Sequence, residues 1–284
     1  MSTKTNIIIG VTVFVVLMFV VKVIHDTSSS ESGIRRVLSG NNQRASNSLS
    51  SVTRDLLEQR NNLSKLLNLK QQKIGQMECE KGANQATSES GGWCKKSSTE
   101  TAGQHMTDTN LATALAEFFK GKYVGSFGDG PGRYKQLLSD SGKVKGYDAF
   151  DGAPFCDITS EGRVKFLDLT LPQYGLPLYD WVISLEVAEH IPQKFESVFI
   201  DNIVRHAREG VVLSWAKPGQ GGYSHVNNRP FEYIKELMDN LSFSHDNVES
   251  EKLKNAASFP WFKWNTNVYR RKKLVSSEDM SRLT

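Results

Sequence analysis

The sequence predicts an α/β protein built on a doubly wound sheet, and three stretches carry that prediction. Lys122–Asp148, KYVGSFGDGPGRYKQLLSDSGKVKGYD, reads as strand, glycine-rich turn, helix and second strand. Tyr179–Glu186, YDWVISLE, is nearly continuous apolar sequence after Asp180, as a parallel strand buried on both faces requires. Gly210–Ala216, GVVLSWA, is a further apolar run, reached through the amphipathic stretch Phe195–His206. Two strand-helix-strand units in succession imply right-handed crossovers within one sheet.

The N-terminal elements come first. Ile7–Ile24 is an apolar run of about 18 residues broken by Lys22, which meets the lower length for a membrane-spanning helix. No small-residue cleavage site follows, so it reads as an uncleaved signal anchor behind a short tail, residues 1–6. Lys22, Arg35, Arg36 and Arg44 follow the anchor and lean, by the positive-inside rule, toward a cytosolic domain. The layout of short tail, anchor, polar stem and C-terminal domain resembles type II Golgi enzymes. It favours a lumenal domain in the Golgi or endoplasmic reticulum.

Residues 25–104 read as a polar stem, rich in Ser, Asn, Gln and Gly and too poor in aromatics to bury a core. Leu49, Val52, Leu56, Leu63 and Leu66 fit a gapped heptad pattern. That pattern gives either an isolated amphipathic helix or a weak coiled coil joining two copies. Asn62-Leu63-Ser64 and Asn240-Leu241-Ser242 are glycosylation sequons, usable only in a lumen. Of the three cysteines, Cys79 and Cys94 flank a short loop and could pair in an oxidising lumen, with Cys156 left as a buried thiol. Three free thiols are the other reading. No C-x-x-C pair exists, which argues against a zinc site.

The folded domain is expected over 105–274, with a frayed tail at 275–284. Thr107–Lys120 is its first helix, capped by Thr107 or Asp108, with Leu111, Leu115, Phe118 and Phe119 inward. Tyr123, Val124 and Phe127 supply the first strand. The turn Gly128-Asp129-Gly130-Pro131-Gly132 cannot continue it. Tyr134, Leu137 and Leu138 give the next helix, which Gly142 stops. Val144 and Tyr147 open strand two, with Asp148 at its tip, and Arg163–Leu169 is a third short strand ending in Asp168. Phe231–Leu241 is an amphipathic helix, and SFSHDNVES and FPWFKWNTNVYRR read as two closing strands. Arg270–Lys273 is a basic end, read as solvated.

The turn has the spacing G-x-G-x-G, closer than the dinucleotide fingerprint. It resembles motif I of class I S-adenosylmethionine-dependent methyltransferases. Asp180–Pro192, with Glu186, Glu189, His190 and Pro192 in the form E-x-x-E-H-x-P, resembles motif IV and the following loop of that family. The resemblance covers Leu111 to Leu274. It implies a Rossmann-like, seven-stranded sheet closed by an antiparallel hairpin, and S-adenosyl-L-methionine as cofactor. The implied cofactor set is Gly128, Asp129, Gly130 and Gly132 against the methionine part, Asp148 on the ribose, Asp168 near the adenine amino group, and Glu186. Ser126 stands where the family usually has an acid.

Three readings of function follow. The first is a membrane-anchored methyltransferase acting on a hydroxyl of a glycan, lipid or small molecule. His190 or His225 is then the general base and Glu189 orients it. The second is a small-RNA 2′-O-methyltransferase, whose family also carries E-x-x-E-H and a further His. Glu186, Glu189, His190 and His225 would then hold Mg²⁺ or Mn²⁺. The anchor and the lack of a strongly basic or aromatic RNA-binding surface argue against nucleic acid as partner. The third is a non-catalytic scaffold with a retained fold, with both histidines structural. The intact glycine turn and Asp148 argue against it. Acceptor choice is assigned to loops such as Lys217–Arg229.

Overall fold

The computed structural model describes residues 42–81, 86–96 and 105–273. The expected tail, membrane span and C-terminal tail lie outside the described residues. Among the described residues no helix is long and apolar enough to cross a membrane. The chain divides into two compact units, Met1–Asn62 and Leu63–Thr284. The described part of the first unit is helical from Asn42 on.

The second unit holds a seven-stranded sheet. Its strands are β1 (Tyr123–Phe127), β2 (Gly146–Asp151), β3 (Lys165–Phe166), β4 (Tyr179–Leu185), β5 (Ala207–Ser214), β6 (Phe243–Asp246) and β7 (Asn267–Arg271). They lie in the order β3-β2-β1-β4-β5-β7-β6. The first five run parallel, and β7 pairs antiparallel with both β5 and β6. This is the doubly wound sheet that the resemblance implies, closed by an antiparallel pair, although two helices within residues 247–265 separate β6 from β7 where a hairpin would have a turn.

Alternation along the central strands sends side chains to two cores. Val124, Trp181, Ile183, Val212 and Val268 face Leu111, Leu115 and Leu138. Phe127, Tyr179, Val182, Val211 and Tyr269 face Phe199, Ile203, Ile234 and Met238 on the other side. Helices therefore cover both faces. The helix α1 spans Asn42–Lys81, and its residues from Leu63 on belong to this unit. The helices α2 (Thr109–Phe118), α3 (Arg133–Asp140) and α4 (Cys156–Thr159) follow. Asp108 caps α2, its carboxylate accepting from the Leu111 amide at 3.0 Å. Next come α5 (Glu196–His206), α6 (Phe231–Asn240), α7 (Asn247–Ala256) and α8 (Pro260–Asn265).

Four expectations need correction. The domain does not begin at 105: the compact unit starts at Leu63. From there α1 lays a polar seam, Ser64, Asn68, Gln72 and Gln76, along the loops of the sheet. Asn68 donates to the Phe166 carbonyl at 3.0 Å and accepts from the Asp168 amide at 2.9 Å. Gln72 and Gln76 both donate to the Pro154 carbonyl. These residues recur at i, i+4, so they share one helix face. Leu63 and Leu66, from the apolar heptad, are exposed instead. Second, β2 runs on to Asp151, so Asp148 is not its tip. Third, FPWFKWN is the helix α8, because Pro260 at its first turn is pre-organised for helix and lacks only a surplus N–H. Fourth, only the start of SFSHDNVES is strand: Asp246 caps α7 through the Glu249 amide.

Candidate active site

The C-terminal ends of β1, β2 and β4 open onto a cavity of about 800 Å³. Open α/β sheets bind ligands at this edge, where the strand order reverses. Gly128, Gly130 and Gly132 have φ of 97°, 60° and 81°, the left-handed region that only glycine adopts freely. A Cβ on Gly128 would meet Val187 at 2.2 Å, and one on Gly130 would meet the His105 ring at 2.6 Å. The Gly128 and Asp129 amides donate to the Phe150 carbonyl, which ties the turn to the end of β2.

Asp151 closes that end. Its Oδ2 accepts from the Gly130 amide at 2.8 Å and its Oδ1 from the Ala153 amide at 2.7 Å. Each oxygen keeps a second lone pair, and the residue lines the cavity. Asp148 does not line it. Tyr147 does, and Asp148, its neighbour on the strand, faces the other side of the sheet. There the hydroxyls of Tyr123 and Tyr179 donate to its Oδ2 at 2.6 and 3.2 Å. Asp148, expected on a ribose, therefore lies outside the cavity, and Asp151 is the acid of β2 that lines it. The signal was available: Gly152 and Pro154 end the strand just beyond it.

Asp129 is buried beneath the turn. Ser126 Oγ donates to it at 2.6 Å, Tyr147 Oη at 2.9 Å and the Lys135 amide at 3.2 Å. Burial pushes its carboxyl up to about 6 despite those bonds. Ser126, at the position where an acid was expected, thus positions an acid within the turn. Asp168 is buried just past β3. Its Oδ1 accepts from the Thr170 amide and hydroxyl, while Oδ2 has no partner. Burial raises its carboxyl above the usual range, and it lines the cavity. An unpartnered buried acceptor suits a ligand amino group.

Glu186 sits just past β4 at φ 52°, a left-handed conformation that is strained for a residue with a side chain. Gln220 donates to its Oε2 at 3.0 Å and Asn265 to its Oε1 at 3.2 Å, so both oxygens are engaged. Glu189, His190 and His225 gather beside it, each offering a ligand atom within 4.8 Å of the others. Glu189 is fully buried, and neither of its carboxylate oxygens has a hydrogen-bond partner. Burial and then the Glu186 charge hold its carboxyl well above the usual range. The carbonyl of Glu189 accepts from the Val226 and Asn227 amides, which straps the His225 loop to this strand end.

Both imidazoles are held by backbone. His190 Nδ1 lies 3.3 Å from the Ser224 carbonyl and His225 Nδ1 lies 3.3 Å from the Gln220 carbonyl. That places the proton on Nδ1 and leaves the Nε2 lone pair free. Burial, then the neighbouring His225, lowers His190 to about 4, so its ring is neutral at neutral pH. Glu189 does not orient His225 by hydrogen bond: Oε1 to Nε2 is 3.9 Å. The Gln220 carbonyl does that instead.

The segment 86–96 forms part of the wall, which its polar composition did not announce. Cys79 and Cys94 form a disulfide, packed on Phe155. Cys156 is free and buried. Gly91 presses on the His190 carbonyl and Gly92 on the Gly152 carbonyl, where a Cβ would meet oxygen at 2.3 and 2.0 Å. Trp93 follows them into the cavity wall.

No protein-family profile and no curated protein matches the chain. Among solved structures it is similar to magnesium protoporphyrin IX methyltransferase from Synechocystis with bound SAH. That match has 16% identity and a TM-score of 0.42, over 57% of this chain and 81% of that one. It is also similar to the N-methyltransferase NodS from Bradyrhizobium japonicum in complex with S-adenosyl-L-homocysteine, at 13% identity and TM-score 0.44, over 58% and 86%. A third is the methyltransferase domain of a bacterial Hen1, at 15% identity and TM-score 0.39, over 57% and 97%.

Proposed function

We propose that this protein is a methyltransferase that uses S-adenosyl-L-methionine to methylate a hydroxyl group. The observation that carries the reading is one cavity shared by the glycine turn, two acids on successive strand ends, and the His190–His225 pair. S-adenosylmethionine, when bound, supplies a methyl group already activated by its sulfonium. The chain's work is then to hold and align. Asp151 has two free lone pairs for ribose hydroxyls, and Asp168 Oδ2 has one for an amino group. Asp129 offers negative charge beneath the turn for a ligand ammonium. Calorimetry of S-adenosylmethionine and S-adenosylhomocysteine against the wild-type protein tests the reading, and absence of binding would sink it.

For the catalytic trio the unpartnered Glu189 carboxylate favours a divalent cation over a metal-free base. A buried carboxylate without a donor is costly, and a cation would restore its charge. Two imidazoles with Nδ1–H bound to carbonyls present Nε2 as ligands and suit Mn²⁺ better than Mg²⁺. Glu186, expected as a fourth ligand, has both oxygens taken by amides and stands outside the trio. A cation held by Glu189, His190 and His225 would supply Lewis acidity to an acceptor hydroxyl. In the metal-free alternative His225 takes the proton, since His190 is a weak base. Mn²⁺ titration calorimetry on wild type and Glu189→Gln separates the two. Binding lost in the variant supports the cation, and no heat in wild type leaves the base.

We also propose a lumenal, membrane-anchored setting. The disulfide suits an oxidising compartment, and Asn62 and Asn240 are exposed at their sequons. Expression in animal cells and glycosidase digestion tests it: a mobility shift abolished by replacing both asparagines is expected.

A further inference from the structure

We propose that the methyl acceptor is an uncharged, hydroxyl-rich sugar ring seated against Trp93 and Tyr223. The inference rests on the methyl-transfer reading and narrows its substrate.

The first observation is aromatic surface beside the histidine pair. The Trp93 ring lies 4.5 Å from His105, 5.4 Å from Tyr223 and 5.7 Å from His190, centroid to centroid. His190 in turn lies 5.0 Å from His225. Tyr223 is 42% exposed on the cavity border, whereas the Trp264 ring, also on the border, is covered by Lys217. Exposed aromatic rings on a cavity wall are unspent binding surface. The C–H face of a pyranose carries slight positive charge and lies well against the negative face of an aromatic ring.

The second observation is charge. Among the described residues that line the cavity there is no Lys or Arg. Lys217 lies over the Trp264 ring at 4.1 Å and Lys95 acts on His105 through space, but neither lines the cavity. An RNA strand or a phosphorylated acceptor gains most of its affinity from such cations. This cleft offers acids instead, and three of them, Asp129, Asp151 and Asp168, are placed for the cofactor. The fourth acid on the wall, Glu186, has both oxygens engaged by Gln220 and Asn265, and the rest of the surface left for the acceptor is aromatic or uncharged polar, with no cationic side chain among the described lining residues.

The third observation is rigidity. Trp93 pairs with Thr87 in an isolated β-bridge, and its neighbour Cys94 is tied to Cys79. A fixed platform costs less to order on binding than a mobile loop. Across the cavity, Gly219 and Gly221 have open space where side chains would stand, which leaves room for a ring.

In the transfer, a sugar oxygen bonds to the methyl carbon as the carbon–sulfur bond breaks with its electron pair kept by sulfur. The hydroxyl proton leaves to the His225 side of the cleft, to imidazole or to water. The product is a sugar methyl ether.

The test offers labelled S-adenosylmethionine and the full-length protein four acceptors: neutral di- and trisaccharides, the same sugars phosphorylated, a short single-stranded RNA, and spermidine. Label is expected in the neutral sugars. Trp93→Ala should raise the sugar KM roughly 10-fold, the size of one stacking contact, with cofactor Kd unchanged. Trp93→Phe should recover most of it. Tyr223→Ala, at an exposed position, should raise KM in the same direction and guards against a misfolded Trp93 variant. Label confined to phosphorylated sugar, RNA or spermidine overturns the inference, as does an unchanged sugar KM in both alanine variants. Label in none of the four, with cofactor bound, overturns the sugar and leaves the cofactor reading standing. Loss of cofactor binding in wild type would instead sink the methyltransferase reading itself.

Discussion

Asp148 and Asp151 differ in which side of β2 they face, and that difference decides which of them reaches the cavity. Asp148 is held by two tyrosine hydroxyls away from the cavity, whereas Asp151 keeps free lone pairs inside it. Asp151→Ala is expected to weaken S-adenosylmethionine binding by about 2 kcal/mol, the worth of a charge-assisted pair of bonds. Asp148→Asn should leave affinity within about twofold. Calorimetry on the pair checks this, and equal losses in both would return the role to neither. Asp129 carries the pH dependence. Its folded carboxyl, at about 6, stands above its ordinary 3.8, so between those values the folded chain holds a proton the unfolded chain has released. Its contribution to stability therefore falls as pH rises through that window. A ligand ammonium prefers the ionised form, so cofactor affinity should rise between about pH 5 and about pH 7. Asp129→Asn should flatten that profile. A wild-type affinity that stays level across the range would remove Asp129 from the site.

At the scale of elements, the polar face of α1 and the disulfide-closed segment do work that composition alone hid. A stem helix searched for apolar heptads shows Leu63 and Leu66, yet both are exposed and the docking face is Ser64, Asn68, Gln72 and Gln76. Their partners are loop carbonyls and amides remote in sequence, and a helix pattern carries no sign of those. The disulfide closes a loop with a sequence separation of 15. Opening a loop of that size costs roughly 3 kcal/mol through the unfolded chain. Cys79→Ser/Cys94→Ser should lower unfolding free energy by about that amount in urea titration, and cofactor binding should survive at low temperature. An unchanged midpoint would mean that Phe155 packing alone holds the wall. The same scale explains the strand errors. An acid inside β2 resembles an acid at its tip, because YDAFD offers both, and aromatic FPWFKW fits alternation until Pro260 is seen as a helix start.

For the whole molecule, the compact unit beginning at Leu63 makes a truncation prediction. A chain starting at Leu63 should be soluble with a single cooperative unfolding transition. One starting at His105 loses the Asn68 contacts around Asp168, the disulfide and Trp93, and should aggregate or melt well below it. Equal melting temperatures in calorimetric scans would show that residues 63–104 are accessory. The sheet itself is legible in the sequence. Continuous apolar strands, a glycine turn and amphipathic helices constrain neighbours along the chain, and local steric rules plus one handedness then leave few arrangements. The glycines, Asp129, Asp168, Glu186, Glu189, His190 and His225 were read from the same local order, and all of them line or adjoin one cavity. Long-range packing alone fixes which acid faces the cavity, which carboxylate lies buried without a partner, and which distant residues wall the site. Side-chain direction depends on strand register, and desolvation depends on what packs from elsewhere. Both are set by long-range contacts: Tyr123 and Tyr179 on Asp148, Asn265 and Gln220 on Glu186, and Trp93 beside His190.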